Sequence, residues 1–215
     1  MNLHYETVSP LLKETLQKLV NSPIFKDFTL IGGTCLSLQL GHRRSIDIDL
    51  FTDIDYGTMN TKEMKEFIQR SFPYSENTDS LDTSALGYTL YMGDSPIDKI
   101  KVDFFYTEKF IFPIQEIDHI RIADIREIAA MKLSAITEEE PRQKDFWDIH
   151  ELNEKYSFKD MIDWGIKRNE WSVTEEGILN GFQNDDVLIH TCIFYKFING
   201  FKWIMKSTFT SIVLR

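Results

Sequence analysis

The sequence predicts an α+β protein: a mixed β-sheet with flanking helices in the N-terminal half, followed by a C-terminal helical bundle. Three observations predict it. Apolar residues alternate with a period of two over 45–51, 85–92 and 97–106, the spacing of strands that rest one face on a core. Segments of helical period precede and separate these runs, notably 8–20 and 60–71. Beyond Asp118 one short strand signal (HIRI, 119–122) gives way to helical period almost to the end, which divides the chain into parts 1–120 and 121–215.

The elements follow in order. Ser9 suits an N-cap and Pro10 a first helical position for the helix over 8–20. Phe28–Ile31 is an apolar run that stops at Gly32-Gly33, after which TCLSLQLG reads as a helix ending at Gly41. In 45–51, Ile46, Ile48 and Leu50 point one way and Asp47 and Asp49 the other. The strands over 85–92 and 97–106 are joined by the turn-like Gly93-Asp94-Ser95-Pro96. Helical segments are expected over 124–137, 142–156, 158–168, 173–182 and 186–206, with Trp164, Trp171, Phe194, Phe197 and Trp203 as bundle core.

Composition narrows the classes. At 215 residues with 42% hydrophobic content the chain can bury a real core. A net charge of −10 opposes a broad, non-specific grip on nucleic acid, which needs an excess of Lys and Arg. The first twenty residues carry charges without an apolar signal core, and no apolar stretch reaches membrane-span length, so a cytoplasmic protein with no membrane partner is expected. Cys35 and Cys192 stand far apart and are expected as free thiols. The histidines (4, 42, 119, 150, 190) show no pair at ligand spacing on one helix, and no nucleophile-elbow motif occurs.

Three elements suggest chemistry. Glycines at the Gly32-Gly33-Thr34 junction let backbone approach a ligand closely, and the start of a helix offers unpaired N–H groups to a phosphate, although an ordinary strand-to-helix turn would look the same. Asp47 and Asp49 share one face of a strand, a costly arrangement for like charges unless water or a cation compensates. A second Asp-Ile-Asp at 53–55 follows Thr52 with no continuing alternation and reads as loop. Asp103, on the face of its strand that also carries Lys101 and Phe105, would complete an oxygen-rich set suited to Mg²⁺.

The runs LIGGTCLSLQLGHRRSIDIDLFT, KVDFF and IREIAAMKLSAI…RQKDFWDIHEL resemble the nucleotidyltransferase AbiEii/AbiGii toxin family, within the polymerase-beta-like nucleotidyltransferase superfamily, over roughly residues 25 to 155. The resemblance implies a nucleotidyltransferase fold, with 1–120 as catalytic domain and 121–215 as a helical domain completing the nucleotide cleft. It implies triphosphate contacts by Gly32, Gly33 and Thr34, and metal binding by Asp47, Asp49 and Asp103. It also matches Lys132 to a family lysine and Asp145 or Asp148 to an acidic position.

The residues themselves add to this. Lys132 falls in the apolar stripe Ile125, Ile128, Ala129, Ile136; a snorkelling lysine would do so, and so would an amine aimed into a phosphate-binding cleft. Asp145 and Asp148 share a helix side, where a salt-bridged surface is the plain reading. Arg142 and Lys144 stand in that helix's first turn, where the macrodipole disfavours cations, a hint of an anionic partner. Arg43 and Arg44 precede the acid pair and suit phosphate; Arg44 and Ser45 hold the Arg-Ser place of the family.

The resulting expectation is transfer of a nucleoside monophosphate from an NTP to an acceptor hydroxyl. Two Mg²⁺ ions, or Mn²⁺, would sit on the three acids, and pyrophosphate would leave. Nucleotide contacts would come from Gly32, Gly33, Thr34, Arg44, Ser45, Lys132, Lys144, Asp145 and Asp148. The resemblance further implies the toxin of a toxin–antitoxin or phage-defence system, with RNA (a tRNA end) or a protein as acceptor and a cognate antitoxin as partner. An antibiotic-type small-molecule nucleotidyltransferase would share the metal site, and a non-catalytic binding module would share the fold.

Overall fold

In a computed structural model of the chain, which describes residues 2–137 and 142–182, seven strands form one mixed sheet. They are β1 (Thr29–Ile31), β2 (Asp47–Thr52), β3 (Tyr74–Glu76), β4 (Gly87–Ser95), β5 (Asp98–Tyr106), β6 (Gln115–Ile117) and β7 (Ile120–Ile122). Their spatial order is β3-β4-β5-β2-β1-β7-β6. The central pair β2–β5 is parallel, as is β1–β7, and the other pairings are antiparallel. The chain divides into two compact units, Met1–Ile128 and Ala129–Arg215.

In the first unit the sheet has one apolar face, built by the alternation read from the sequence. Ile48 and Leu50 of β2, Val102 and Phe104 of β5, and Leu90 and Met92 of β4 are buried. Helix α1 (Pro10–Val20) lies against β2, β4, β5 and β7 and contributes Leu12, Leu16 and Leu19 to the core. Its start is as the sequence predicts: Pro10 is the first helical residue, and Ser9 Oγ accepts from the Leu12 amide at 3.1 Å. Phe25 stacks on Phe104 at 5.4 Å, and Phe28 meets the same ring edge-on at 5.3 Å. Burying such rings is the dominant stabilising term of a core like this one.

Two expectations need correcting here. Ile46 is 73% exposed, because β2 pairs only from Asp47 onward, so the apolar side of the alternation begins at Ile48. The strand over 85–92 continues through a register shift between Gly93 and Ser95, so residues 93–95 belong to β4 and not to the turn. Strands β3 and β6 carry no alternation that the sequence could reveal: YSE and QEI are short and largely polar.

Helix α2 (Gly32–Leu40) ends at Gly41, and α3 (Thr61–Ser71) is capped by Asn60, whose side chain accepts from the Glu63 amide at 3.3 Å. The segment before α1 is tied to the last turn of α2 and to the loop after it. The His4 amide donates to the Leu38 carbonyl at 2.7 Å and the Ser45 amide to the Thr7 carbonyl at 2.9 Å. Cys35 is buried with its Sγ 3.6 Å from the Ala123 carbonyl, and burial pushes the thiol pKa up, so it stays protonated.

The division between units falls within α4 (Ile125–Ile136). In the second unit α5 (Gln143–Leu152), α6 (Phe158–Arg168) and α7 (Glu175–Gly181) follow. Leu133, Phe146, Leu152, Met161 and Ile178 form their buried core, with Phe182 edge-on to Phe146 at 5.2 Å. Trp164 is half-buried against Tyr156, whereas Trp171 is fully exposed. Trp171 stands past the end of α6 in a turn, so it is not bundle core. The helix expected over 186–206, with Phe194, Phe197 and Trp203, and Cys192 lie outside the described residues.

Candidate functional site

The face of the sheet opposite the core carries three rows that run across β2, β5 and β4. Register pairs Asp49 with Asp103, and Asp103 with Thr89. One row away, Asp47 pairs with Lys101, and Lys101 with Tyr91. On the other side Phe51 pairs with Phe105, their rings 5.5 Å apart, and Phe105 pairs with Gly87. The parallel pairing of β2 and β5 thus brings the third acid beside the first two, which the sequence could suggest but not fix. Aromatic rings bound the acids on one side of the row.

Asp103 is well held. Its Oδ1 accepts from Thr89 Oγ1 at 2.7 Å, and its Oδ2 pairs with Lys101 Nζ. Its side chain is 14% exposed, against 35% for that of Lys101. Burial would lower the Lys101 pKa, but the hydrogen bond to Asp103 and the charges of Asp103, Asp47 and Asp49 outweigh it and raise the pKa. Neither Lys101 nor Thr89 was singled out by sequence reasoning as a site residue. The available signal was the shared face of residues 101 and 103.

The glycine junction closes against this face. Gly32 has φ +69°, in the left-handed region, and a Cβ there would run into the Asp49 carboxylate. Only glycine meets both conditions without strain. At Gly33 a Cβ would stand 2.6 Å from Arg43 Nη2 and 3.4 Å from Ser45 Oγ. Gly33 is therefore open to the Arg43 guanidinium. Thr34 is fully buried, its Oγ1 2.9 Å from Ser45 Oγ and hydrogen-bonded to the Asp47 carbonyl. Gly32, Gly33, Thr34, Ser45, Asp47 and Asp49 thus form one neighbourhood. Arg44 is exposed, and its carbonyl accepts from Arg43 Nη1 at 3.0 Å; of the two arginines, it is Arg43 that lies against Gly33. Asp53 and Asp55 lie past the end of β2, away from this row.

An open groove of about 600 Å³ extends from the Asp47–Lys101–Tyr91 row, walled also by Lys99, Ile46 and Ile97. Its size lies in the usual range for small-molecule sites. Among the described residues, no three His, Cys, Asp or Glu side chains converge closely enough, as they stand, to hold a metal ion. The donor set itself is chemically suited to Mg²⁺, being carboxylates on one face of adjacent strands. A cation already stands among the acids: the ammonium of Lys101.

The second unit holds another charged cluster. Lys132 Nζ pairs with Asp148 Oδ2 at 2.9 Å and also with Asp145 Oδ1. Both carboxylates are 0% exposed, and the Lys132 side chain 6%. Arg142 adds its Nε to Asp145 Oδ2 at 3.0 Å. The two aspartates are therefore interior groups, not a salt-bridged surface, and they share one lysine. The cation in the first turn of α5 has an acid partner one turn on. Lys144 is half-buried on the same helix.

A family described as "Nucleotidyl transferase AbiEii toxin, Type IV TA system" matches residues 14–171. The chain belongs to this family. An uncharacterized protein of Aquifex aeolicus (strain VF5) is 33% identical over 167 residues, covering 74% of the chain and 70% of its own length. Among solved structures, a candidate nucleotidyltransferase from H. pylori is 18% identical with a TM-score of 0.48, covering 86% of this chain and 92% of that one. The Megavirus polyadenylate synthase is 15% identical with a TM-score of 0.46, covering 71% and 32% respectively. The family model takes in the glycine junction, all three acids of the sheet and the Lys132–Asp145–Asp148 cluster. Among the described residues no helix is long and apolar enough to cross a membrane.

Proposed function

We propose that the chain is the toxin of a toxin–antitoxin pair and transfers a nucleoside monophosphate from an NTP to an acceptor hydroxyl, with a cognate antitoxin as its partner. The observation that carries this reading is the register of Asp49 beside Asp103, with Asp47 on the same face and Gly32-Gly33-Thr34 closing against them. Asp47, Asp49 and Asp103 would hold Mg²⁺ or Mn²⁺. Bound there, the metal supplies positive charge opposite the phosphate oxygens and eases deprotonation of the acceptor hydroxyl.

The chain's own residues do the rest. Gly33, with no side chain, makes room for the Arg43 guanidinium, a group suited to phosphate oxygens. Thr34 and Ser45 fix this loop against the strand that carries Asp47. The acceptor hydroxyl gives up its proton to water, its oxygen forms a bond to the α-phosphorus as the bond from that phosphorus to the bridging oxygen breaks, and pyrophosphate departs. The acceptor is RNA, entering by the groove beside Asp47; there a base would take the place of the Lys99 ammonium, which now lies 4.9 Å from the centre of the Tyr91 ring and pairs with Glu76.

The test is incubation of the protein with each labelled NTP, Mg²⁺ and total RNA, followed by a gel. Label in RNA for the wild type, and none for Asp49→Asn of unchanged fold, is the expected result. Equal labelling by both proteins overturns the assignment. A role for Lys132, Lys144, Asp145 and Asp148 in NTP binding is a separate proposal. Lys144 is the least buried of them; weaker NTP binding by Lys144→Ala of native fold is expected, and unchanged binding overturns its part.

A further inference from the structure

Lys101 stands on the acid face and takes no part in the transfer proposed for it. It occupies the position opposite Asp47 on β2 and two residues before Asp103 on β5, so its side chain leaves the same face between two of the three acids. Its ammonium takes one carboxylate oxygen of Asp103, while Thr89 takes the other. Asp103 as it stands thus has both oxygens engaged, and the three acids do not converge as a ligand set. A divalent cation brought to this face would meet an ammonium already there, and like charges at such range repel.

The amine also has somewhere to go. Lys101 lines the open groove, its side chain is more exposed than that of its partner, and a lysine stem is long and flexible. Thr89 holds the other oxygen of Asp103, a bond that does not depend on the lysine and would keep the carboxylate in place for a new partner.

We propose that Lys101 is a resident counter-cation of the acid row: it neutralises Asp103 in the metal-free protein, must release it when a divalent ion binds, and so sets the affinity of the site for that ion. This rests on the assignment of Asp47, Asp49 and Asp103 as metal ligands. By offsetting one of the three negative charges, Lys101 also lessens the repulsion among the carboxylates on adjacent strands. The site is therefore stable without metal and is loaded by exchange of one cation for another.

The test is direct Mn²⁺ binding to the full chain, followed by the paramagnetic resonance of free Mn²⁺, with no nucleotide present. Lys101→Gln should bind Mn²⁺ about three- to fivefold more tightly than the wild type, the scale of one exposed ion pair. Lys101→Arg, which keeps the charge, should not. Adding Asp103→Asn to Lys101→Gln should abolish the gain. Unchanged, weaker or undetectable Mn²⁺ binding by Lys101→Gln of native circular dichroism overturns the proposal. If Asp49→Asn and Asp103→Asn in the Lys101→Gln background bind Mn²⁺ as well as Lys101→Gln alone, the metal-site assignment itself fails.

Discussion

Two clusters in this chain use the same ingredients, a lysine set between aspartates, and they solve different problems. On the sheet, Lys101 and Asp103 are partly exposed, and the groove beside them is open. In the helical unit, Lys132, Asp145 and Asp148 are buried, and two carboxylates share one ammonium. Water can replace a partner in the first cluster and cannot in the second. An ion pair that water can replace is worth little and exchanges easily; one that it cannot replace is costly to break. The sheet cluster is built to change partners and the helical cluster to keep them.

The largest test of this contrast is Lys132→Met. It leaves two buried carboxylates without their common cation, and the expected loss is about 3–5 kcal/mol, read as a lower midpoint in urea. Replacing Lys132, Asp145 and Asp148 together by apolar residues should restore most of that loss, because no buried charge is then uncompensated. Lys132→Met melting like the wild type would end the distinction.

Gly32→Ala probes the sheet side through the backbone. A left-handed conformation costs a non-glycine residue about 1–2 kcal/mol, and the new methyl would also displace the Asp49 carboxylate. A loss of that size in thermal unfolding is expected, together with loss of nucleotide transfer. Lys101→Met should cost less than about 1 kcal/mol, and a drop as large as that of Lys132→Met would put the two clusters in one class.

The smallest effect belongs to a third pair. Asp124 accepts from the Arg126 amide, from Nε and from Nη2, and although burial pushes its pKa up, these bonds to Arg126 hold it below the usual carboxylate value. A depressed pKa contributes stability above the unfolded value of about 3.9, and that contribution fades as pH falls through the folded value. Asp124→Asn should therefore be less stable than the wild type at pH 7, with the difference shrinking in urea melts at pH 3. A difference that stays constant over this range would show that the charge of Asp124 is not what matters.

The sequence was most legible where one periodicity governs. Asp47 and Asp49 could be placed on one face because Ile48 and Leu50 alternate with them, and Ser9-Pro10 marked a helix start because capping is local. Ile46 misled for the same reason: alternation extends past the point where pairing stops. What pairing decides was not legible. Nothing local says that β5 lies parallel beside β2 with Asp103 opposite Asp49, or that Arg43, not Arg44, turns to Gly33. The burial of Asp145 and Asp148 was also hidden, because an acidic pair at helical spacing reads as surface until the lysine that neutralises it is in place.

The tie between the first residues and the loop after α2 has a practical bearing. The Thr7 carbonyl holds the Ser45 amide, and Ser45 in turn meets Thr34 and stands close to Gly33. The opening segment is thus a brace for the Arg43–Ser45 loop, three handshakes away from any phosphate. A bulky fusion placed on that segment would loosen the loop without touching an acid. Its signature would be weaker grip on nucleotide with the metal row intact, so a tag meant only for purification would sit on a control point.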